Sequence, residues 1–201
     1  MCWSRRMEVI DFQLAARGGD LPESDKWLYE PKLDGVRLGC QITAKGPVFY
    51  TRETVVSGDP KHLRTDLPPL PVGSFLDGEF CYGKNSRDAL RVISRKRIPA
   101  QGFWFLFDYL SGDEDSRALA DRRMSLIKVI QAAGPSIQGV VIKEPLERPK
   151  DFYRRVLAAG GEGVVAKRLD KPYRAGRSQS WLKFKPQKAP PGGPFSLVPS
   201  P

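Results

Sequence analysis

Four clusters of charged residues in this 201-residue sequence have types and spacings that suit catalysis. In the first, YEPKLDGVRLG, a lysine stands among apolar neighbours, two residues before an acid and five before an arginine. If this stretch is a strand, its side chains alternate in direction, so Lys32, Asp34 and Val36 share one face. A lysine that attacks an electrophile must lose its proton near neutral pH and needs such partners. The cluster therefore makes Lys32 a candidate nucleophile.

Three more clusters follow at the ends of predicted strands: Asp77-Gly78-Glu79, the run from Glu162 to Lys167, and the pair Lys183 and Lys185. Each of the four clusters alone has an ordinary structural explanation. Lys-x-Asp-Gly and Asp-Gly-Glu strings occur in turns that carry surface charges, and lysines often protect an edge strand. Together and in this order, the clusters are far more specific than any one of them.

The net charge of the chain is strongly positive. Lys and Arg number 33 against 23 Asp and Glu, which gives +10 at pH 7 and a pI near 9.7. Such an excess favours polyanions such as nucleic acids or nucleotides, but a basic surface that only confers solubility explains it equally well.

The cysteine and histidine content excludes several kinds of site. The cysteines Cys2, Cys40 and Cys81 are scattered and His62 is the only histidine, which argues against a zinc site, a disulfide framework and a histidine-dependent nucleophile. The N-terminal stretch lacks the apolar region of a signal peptide, and no apolar run approaches the roughly 18 residues of a membrane span. We therefore expect a cytoplasmic protein with no membrane partner.

The apolar pattern predicts an α+β fold with mostly antiparallel strands. The predicted strands lie in DKWLYEPKLDGVRLGCQIT (two strands around a turn at Asp34-Gly35), GPVFYTRE, SFLDGEFCYG, GFWFLFDYL, IQGVVIKEPL, EGVVAKR and SQSWLKFKP. The proline-rich stretch GDPKHLRTDLPPLPVG is expected to be loop.

Two helices are predicted from the spacing of apolar residues. The first, DSRALADRRMSLIKVIQAAG, has an apolar stripe made of Leu119, Met124, Leu126, Ile127 and Ile130. The second helix is predicted in RPKDFYRRVLAAGG, with Phe152, Val156 and Leu157 facing the core. A flexible Pro/Gly-rich tail is expected at 189–201.

In these motifs the chain resembles the nucleotidyltransferase (adenylation) domain of ATP-dependent DNA ligases, whose superfamily includes RNA ligases and mRNA capping enzymes. The matching motifs are I (Lys32-x-Asp34-Gly35-x-Arg37), III (Asp77-Gly78-Glu79), IIIa (Phe107-Asp108), IV (Glu162-Gly163) and V (Lys183-x-Lys185). The motif after motif I matches only at Thr51-Arg52, where Glu53-Thr54 replaces the usual Asn-Gly. The resemblance covers about residues 25 to 186.

One stretch, EGVVAKRLDKPYRAGRSQSWLKFK, resembles most closely the ligase domain of bacterial end-joining ligases, and Glu162 argues against capping enzymes, which carry Asp-Gly in motif IV. The resemblance implies an ATP-grasp-like nucleotidyltransferase fold over residues 1–188, with sheets flanked by helices, in a bacterial or viral protein. Only about a dozen residues follow Lys188, so no OB-fold domain is expected after it. A separate OB-fold or end-joining protein is then an expected partner.

The resemblance also implies a role for each site residue. Lys32 would attack the α-phosphorus of ATP, forming lysyl-AMP and releasing pyrophosphate, while Lys183 and Lys185 neutralise charge on the phosphate. The other nucleotide contacts would be Arg37 and Glu79 on the ribose, Phe107 on the adenine face, Glu30 near the adenine edge and Arg52 on phosphate. Mg²⁺ or Mn²⁺ would be held by Glu162 and Asp34, because carboxylate oxygens suit such cations.

A basic loop lies between motifs IV and V. Residues 167 to 188 hold eight Lys or Arg and one acid, Asp170, which predicts contact with the backbone of nicked double-stranded DNA through Arg174 and Arg177. A solvated loop is the competing interpretation. For the whole chain, three functions stay open: a DNA ligase that seals nicks in DNA repair, an RNA ligase, and a nucleotide- or DNA-binding module that cannot complete ligation without an OB domain.

Overall fold

Two β-sheets, with helices packed against them, make up the fold in this computed structural model, which describes residues 11–56, 60–94, 101–112, 115–139 and 148–186. In chain order the elements are β1 (Gln13–Arg17), β2 (Trp27–Pro31), β3 (Val36–Thr43), β4 (Gly46–Tyr50), α1 (Lys61–Thr65), β5 (Phe75–Cys81), α2 (Ser86–Ser94), β6 (Phe103–Leu110), α3 (Leu119–Ala132), β7 (Ile137–Gly139), α4 (Pro149–Ala158), β8 (Val164–Arg168) and β9 (Gly176–Phe184). The predicted α+β class is confirmed.

The two sheets are built from different parts of the chain. Sheet A has the strand order β1-β9-β8-β2, so it joins the first two strands of the chain to the last two. Sheet B has the order β4-β3-β5-β6-β7 and holds the strands between them. The pairs β1–β9 and β6–β7 are parallel, and the other pairs are antiparallel, as predicted for most of the fold.

Each sheet buries one apolar face against helices. α3 packs on β6 and β7, and α2 packs on β3 and β5, over a core that includes Leu38, Leu76 and Trp104. On sheet A, α4 places Phe152 and Val156 in a smaller apolar cluster with Tyr29, Val164, Ala166 and Phe184. Burial of these side chains stabilises each sheet by roughly 1.5–3 kcal/mol for every large apolar residue. None of the described helices is long and apolar enough to cross a membrane.

The predicted strands and both predicted helices are present where they fall in the described residues, but three details differ. α1 lies inside the stretch expected to be loop, and β1 and α2 form where no element was predicted. Lys32 and Asp34 do not share a strand face, because β2 ends at Pro31 and β3 begins at Val36. Most of IQGVVIKEPL after β7 and the predicted tail at 189–201 lie outside the described residues.

The apolar stripe predicted for α3 is wrong at Met124, which is 61% exposed. Arg122 and Arg123 are buried instead. The reason is a buried acceptor: Arg122 donates from Nε and Nη2 to the two carboxylate oxygens of Asp108, each at 2.8 Å, and both side chains are fully buried. Charge pairing therefore overrides the helical apolar pattern at this end of α3. On α4, Phe152 and Val156 are buried as predicted.

The same end of α3 holds the basic loop in place. The backbone N–H groups of Leu119 and Ala120 donate to the carbonyl oxygens of Lys171 and Leu169, both at 3.0 Å. These are first-turn N–H groups, which have no acceptor within their own helix. Arg122 Nη1 adds a contact to the carbonyl of Lys171 at 3.2 Å. The loop after β8 is therefore fixed to sheet B through α3.

Candidate active site

A cavity of about 310 Å³ is lined by strands of both sheets. Sheet A contributes Glu30, Val165, Lys167, Trp181 and Lys183, and sheet B contributes Arg37, Glu79 and Phe107. Lys32, Arg52, Arg177 and Lys185 complete the polar part of the wall. All the predicted nucleotide-binding residues therefore line one cavity, although they come from opposite ends of the chain.

Lys32 lies in the loop that follows β2, where motifs I, IV and V meet. Its backbone N–H donates to the carbonyl of Gly163 at 2.8 Å, and its Nζ forms an ion pair with Glu162. The other oxygen of Glu162 accepts from Lys185. Burial raises the pKa of Glu162, but the hydrogen bonds from Lys185 and Lys32 outweigh burial and lower that pKa below its usual value. One ionised carboxylate thus bridges the predicted nucleophile and a motif V lysine.

Gly163 allows the segment that carries Glu162 to come close to β9. Its φ of +141° lies in a region that side chains rarely adopt, and a Cβ here would overlap the carbonyl oxygen of Phe184. The strand end that carries Glu162 can therefore come close to β9. This contact explains, in physical terms, why motif IV pairs a glutamate with a glycine.

Arg37 is held by a residue that sequence reasoning did not include among the site residues. Its Nε and Nη2 donate to Asp77 at 2.5 and 2.6 Å, and Nη2 also donates to the carbonyl of Gln13 at 3.0 Å. Asp77 is fully buried. The guanidinium carbon lies 4.6 Å from the centre of the Phe107 ring. Asp77 therefore acts as the anchor that holds Arg37 at the cavity wall.

Glu79 faces Arg37 across the β3–β5 pair. Burial raises its pKa to about 6, while Arg37, Lys32 and Arg52 oppose that shift. Titratable groups with such displaced pKa values are common in functional sites. The carboxyl is therefore a group whose charge changes close to neutral pH.

We expect Glu79→Gln to change the pH dependence of stability. A carboxyl whose pKa is raised by folding favours the folded state when it is protonated, and that contribution is lost as pH rises through about 6. Relative to the variant, the wild type should lose about 1–2 kcal/mol of unfolding free energy between pH 5 and pH 7.5. Urea unfolding of both proteins at the two pH values measures this. An equal difference at both values would contradict the predicted titration.

Glu30 belongs to a buried charge cluster next to Phe107. Its carboxylate oxygens lie 2.6 Å from Lys167 Nζ and 2.8 Å from Arg123 Nη1. Lys167 Nζ is also 3.8 Å from the centre of the Phe107 ring. Burial lowers the pKa of Lys167, Glu30 opposes the shift, and Arg123 adds to it. The predicted base-stacking residue thus has a cation over its ring.

Sequence reasoning did not assign Lys167 or Trp181 to the nucleotide site. Both line the cavity, and Lys167 Nζ lies 4.2 Å from the centre of the Trp181 ring. The sequence did contain a signal for Lys167. The strand VVAKR is otherwise apolar, and a lysine buried in such a strand almost always has a charged partner, which predicts a polar cluster at this position. Trp181 carried no such signal, since a tryptophan at a strand position is equally suited to a core.

A group of cations collects at one side of the cavity. Burial lowers the pKa of Lys183, and Arg177, Lys185, Lys32 and Arg52 lower it further. Repulsion of this kind is relieved by a bound anion, so this side of the cavity suits phosphate groups. Arg177, predicted to contact DNA, lies on this wall and donates to the carbonyl of Ala15 at 3.2 Å.

Arg174, the other predicted DNA contact, lies apart from the cavity wall. Its side chain is exposed, and its backbone N–H donates to the side chain of Gln13 at 2.7 Å. Both arginine side chains are exposed, but Arg177 lies on β9 and lines the cavity, whereas Arg174 does not.

A metal would find few protein ligands here. Within the described ranges, no group of three or more acidic, cysteine or histidine side chains is arranged to hold one. Glu162 is a partly buried carboxylate paired with two lysines of the cavity wall, whereas Asp34 is exposed. Mg²⁺ is often bound by one or two carboxylates together with substrate phosphates, so Glu162 fits that mode of binding.

The model of the ATP-dependent DNA ligase domain family matches residues 19–185. A DNA ligase of Thermococcus fumicolans is 30% identical over 180 residues, which cover 79% of this chain and 32% of that protein. The multifunctional non-homologous end joining protein LigD of Pseudomonas aeruginosa is 32% identical over 183 residues, which cover 83% of this chain and 21% of that protein. The chain thus spans a third or less of the length of these relatives.

The fold is also similar to solved structures. Mycobacterial DNA ligase D complexed with ATP and MES matches with a TM-score of 0.65 and 22% identity, over 87% of this chain and 59% of that one. The predicted nucleotidyltransferase fold is therefore confirmed. Together with the family match over most of its length, the shared motifs mean that the chain belongs to the ATP-dependent DNA ligase domain family.

Proposed function

We propose that this chain is the catalytic domain of an ATP-dependent DNA ligase and that Lys32 carries AMP. The observation that supports this most strongly is the convergence of Lys32, Arg37, Lys183 and Lys185 on one cavity lined by both sheets. A lysine nucleophile beside several cations and an aromatic wall suits a nucleoside triphosphate.

The proposed reaction has three steps. The Lys32 amine attacks the α-phosphorus of ATP, the bond from that phosphorus to the bridging oxygen of the leaving pyrophosphate breaks, and the amine loses a proton to solvent. An oxygen of a DNA 5′-phosphate then attacks the phosphorus of lysyl-AMP, and the P–N bond breaks as the amine regains a proton. The 3′-hydroxyl finally attacks the 5′-phosphorus, loses its proton, and AMP leaves.

The residues of this chain divide the work among them. Lys183 and Lys185 neutralise charge on the phosphate oxygens, and Arg52 contacts phosphate. Arg37 and Glu79 hold the ribose, Phe107 stacks on adenine, and Glu30 lies near the adenine edge. A bound Mg²⁺ or Mn²⁺ would further neutralise phosphate charge, with Glu162, and Asp34 as a second carboxylate, as its protein ligands.

Nicked double-stranded DNA is the substrate that we favour. One relative described above is a DNA ligase, and the other is a multifunctional non-homologous end joining protein. The RNA ligase and the binding module without ligase activity have no such support. A separate OB-fold or end-joining partner, a role in DNA repair and a cytoplasmic location stay part of the proposal.

The deciding experiment incubates the protein with α-labelled ATP and Mg²⁺, followed by denaturing electrophoresis, with labelled GTP beside it. We expect label on the protein from ATP only, and transfer of that label to the 5′-phosphate of nicked DNA. A parallel assay uses the same nick in duplex RNA. If ATP left no label on the protein, the proposed adenylylation activity would be wrong. If nicks in RNA were sealed in preference to nicks in DNA, the proposed DNA substrate would be wrong.

Arg174→Ala should weaken DNA binding without slowing lysyl-AMP formation, because its exposed side chain can reach a backbone phosphate but does not line the cavity. We expect the slope of log K against log salt to fall by about 1. Arg154→Ala, an exposed arginine on α4, is the matched control and should leave the slope unchanged. Fluorescence anisotropy of labelled nicked DNA over a salt series measures both. An unchanged slope for Arg174→Ala would mean that Arg174 is a solvated surface residue that does not contact DNA.

A further inference from the structure

The hydroxyl of Tyr173 connects the basic loop to the anchor of Arg37. It donates to Asp77 Oδ2 at 2.7 Å and accepts from the backbone N–H of Gln13 at 2.8 Å. Asp77 is fully buried and uses both oxygens on Arg37. The Asp77 carboxylate therefore accepts three hydrogen bonds, two from Arg37 and one from Tyr173.

Arg37 has one part of its guanidinium left for a ligand. Nε and Nη2 are occupied by Asp77 and by the carbonyl of Gln13. Nη1 has no acceptor among the described residues, and Arg37 lines the cavity. Rings of Phe12 and Phe107 lie 5.2 and 4.6 Å from the guanidinium carbon and restrict its plane. The orientation of the Asp77 carboxylate consequently decides where Nη1 points.

Tyr173 is itself rigidly held. The loop that carries it is tied to α3 by the hydrogen bonds of Leu119 and Ala120. Its ring packs edge-on against Trp181, with 6.0 Å between ring centres, and lies 5.8 Å from the guanidinium carbon of Arg122. Burial and the charge of Asp77 raise the pKa of Tyr173 well above its usual value, so the hydroxyl keeps the proton that it donates.

We propose that Tyr173 is a positioning residue for nucleotide binding, and that its hydroxyl fixes the Asp77 carboxylate and thereby aims Arg37 Nη1 into the cavity. This inference rests on the proposed function, because it assumes that the cavity binds ATP. Tyr173 touches neither the nucleotide nor Lys32 in this scheme. It acts through Asp77, whose position at an irregularity in the β5–β6 pairing leaves the strand less able to fix it alone.

Removing the hydroxyl isolates this role. Tyr173→Phe keeps the ring and its contacts with Trp181 and Arg122, and it deletes only the bonds to Asp77 and Gln13. Asp77 Oδ2 then retains Arg37 Nη2 as its partner, so the ion pair survives but can tilt. Because this hydrogen bond acts on Arg37 only through Asp77, we expect part of its contribution to appear as lost affinity, a change of roughly five- to tenfold.

The test measures ATP dissociation constants by calorimetry in proteins that also carry Lys32→Ala, so that no covalent step interferes. We expect Tyr173→Phe to weaken ATP binding roughly five- to tenfold. In an Arg37→Lys background the same substitution should have little further effect, because the group that it positions is gone. The matched control is Tyr109→Phe, which removes a buried hydroxyl bonded to Ser74 outside the cavity and should leave ATP affinity unchanged.

A second readout does not depend on ATP. In the ¹⁵N-labelled protein, the Nε–H signal of Arg37, identified by its loss in Arg37→Lys, should exchange with solvent faster in Tyr173→Phe than in wild type. Unchanged exchange, or an equal loss of affinity with and without the Arg37→Lys substitution, would overturn the positioning role. If the parent protein bound no ATP, the proposed function would fail, and the exchange rate would still decide whether Tyr173 holds Arg37.

Discussion

Lys32→Ala will abolish transfer of labelled AMP to the protein. Lys32 is one of three lysines that predicted chemistry places at the phosphate end of the cavity, and it is held more firmly than Lys185. Its backbone is fixed by Gly163, whereas Lys185 is 46% exposed at its side chain. A nucleophile must be oriented before it attacks, so we expect the adduct on Lys32 alone. Mass spectrometry of the digested adduct locates it.

Three controls separate loss of the nucleophile from loss of the site. Lys32→Arg should also lose the adduct, because a guanidinium stays charged and cannot attack. Lys183→Ala should slow the reaction but leave the adduct on Lys32. Lys32→Ala should still seal a nick whose 5′-end already carries AMP, since that step needs no amine. An adduct that survives Lys32→Ala would show that another residue carries AMP.

Arg122→Met will lower the free energy of unfolding by about 3–5 kcal/mol. The substitution leaves Asp108 buried and charged, without the two hydrogen bonds from the guanidinium, while the backbone N–H of Tyr109 still donates to it at 2.9 Å. It also removes the hydrogen bonds from Arg122 to the carbonyls of Arg117 and Lys171, although the Lys171 carbonyl still accepts from the backbone N–H of Leu119. A loss of this size is a large part of the roughly 5–15 kcal/mol typical of a domain. Urea unfolding followed by tryptophan fluorescence measures it.

The double variant Arg122→Met with Asp108→Asn tests the cause. If the unpaired charge produces most of the loss, neutralising it should recover a large share of the stability, because Asn still accepts from Tyr109. Arg154→Met on the surface of α4 should change stability by less than about 0.5 kcal/mol. A loss below about 1 kcal/mol for Arg122→Met would mean that Asp108 finds another partner.

The strands of sheet B could be predicted because their apolar runs are long and bounded by turn residues, as in FWFLFDYL and FLDGEFC. The burial of Arg122 could not be predicted in this way. A helical pattern assigns charged positions to solvent and apolar ones to the core, so it placed Met124 inside and left the arginines out. Only the position of Asp108 on β6, under α3, shows that an arginine belongs in the core.

Residues of the cavity wall could be predicted where short motifs suggest their chemistry, and could not be predicted where pairing between distant strands decides the contacts. Lys32, Arg37 and Glu79 were identified from their spacing and the resemblance. The hold of Asp77 on Arg37, and the approach of Tyr173 to both, depend on how sheet A meets sheet B. No local sequence pattern predicts how the two sheets pack against each other.

Sheet A has a consequence for how the chain folds. It pairs strands from the two ends of the described region: Lys32 meets Glu162 across 130 residues, and Gln13 meets Tyr173 across 160. Contacts between such distant residues form slowly, since a long loop must close before they contribute any stability. During synthesis, sheet B can take shape while β8 and β9 are still in the ribosome, but half of the cavity wall does not yet exist. A nascent or prematurely ended chain would therefore have a folded sheet B and an incomplete cavity. In the proposed function, ATP would stabilise only the chain in which β8 and β9 have paired with β2 and β1.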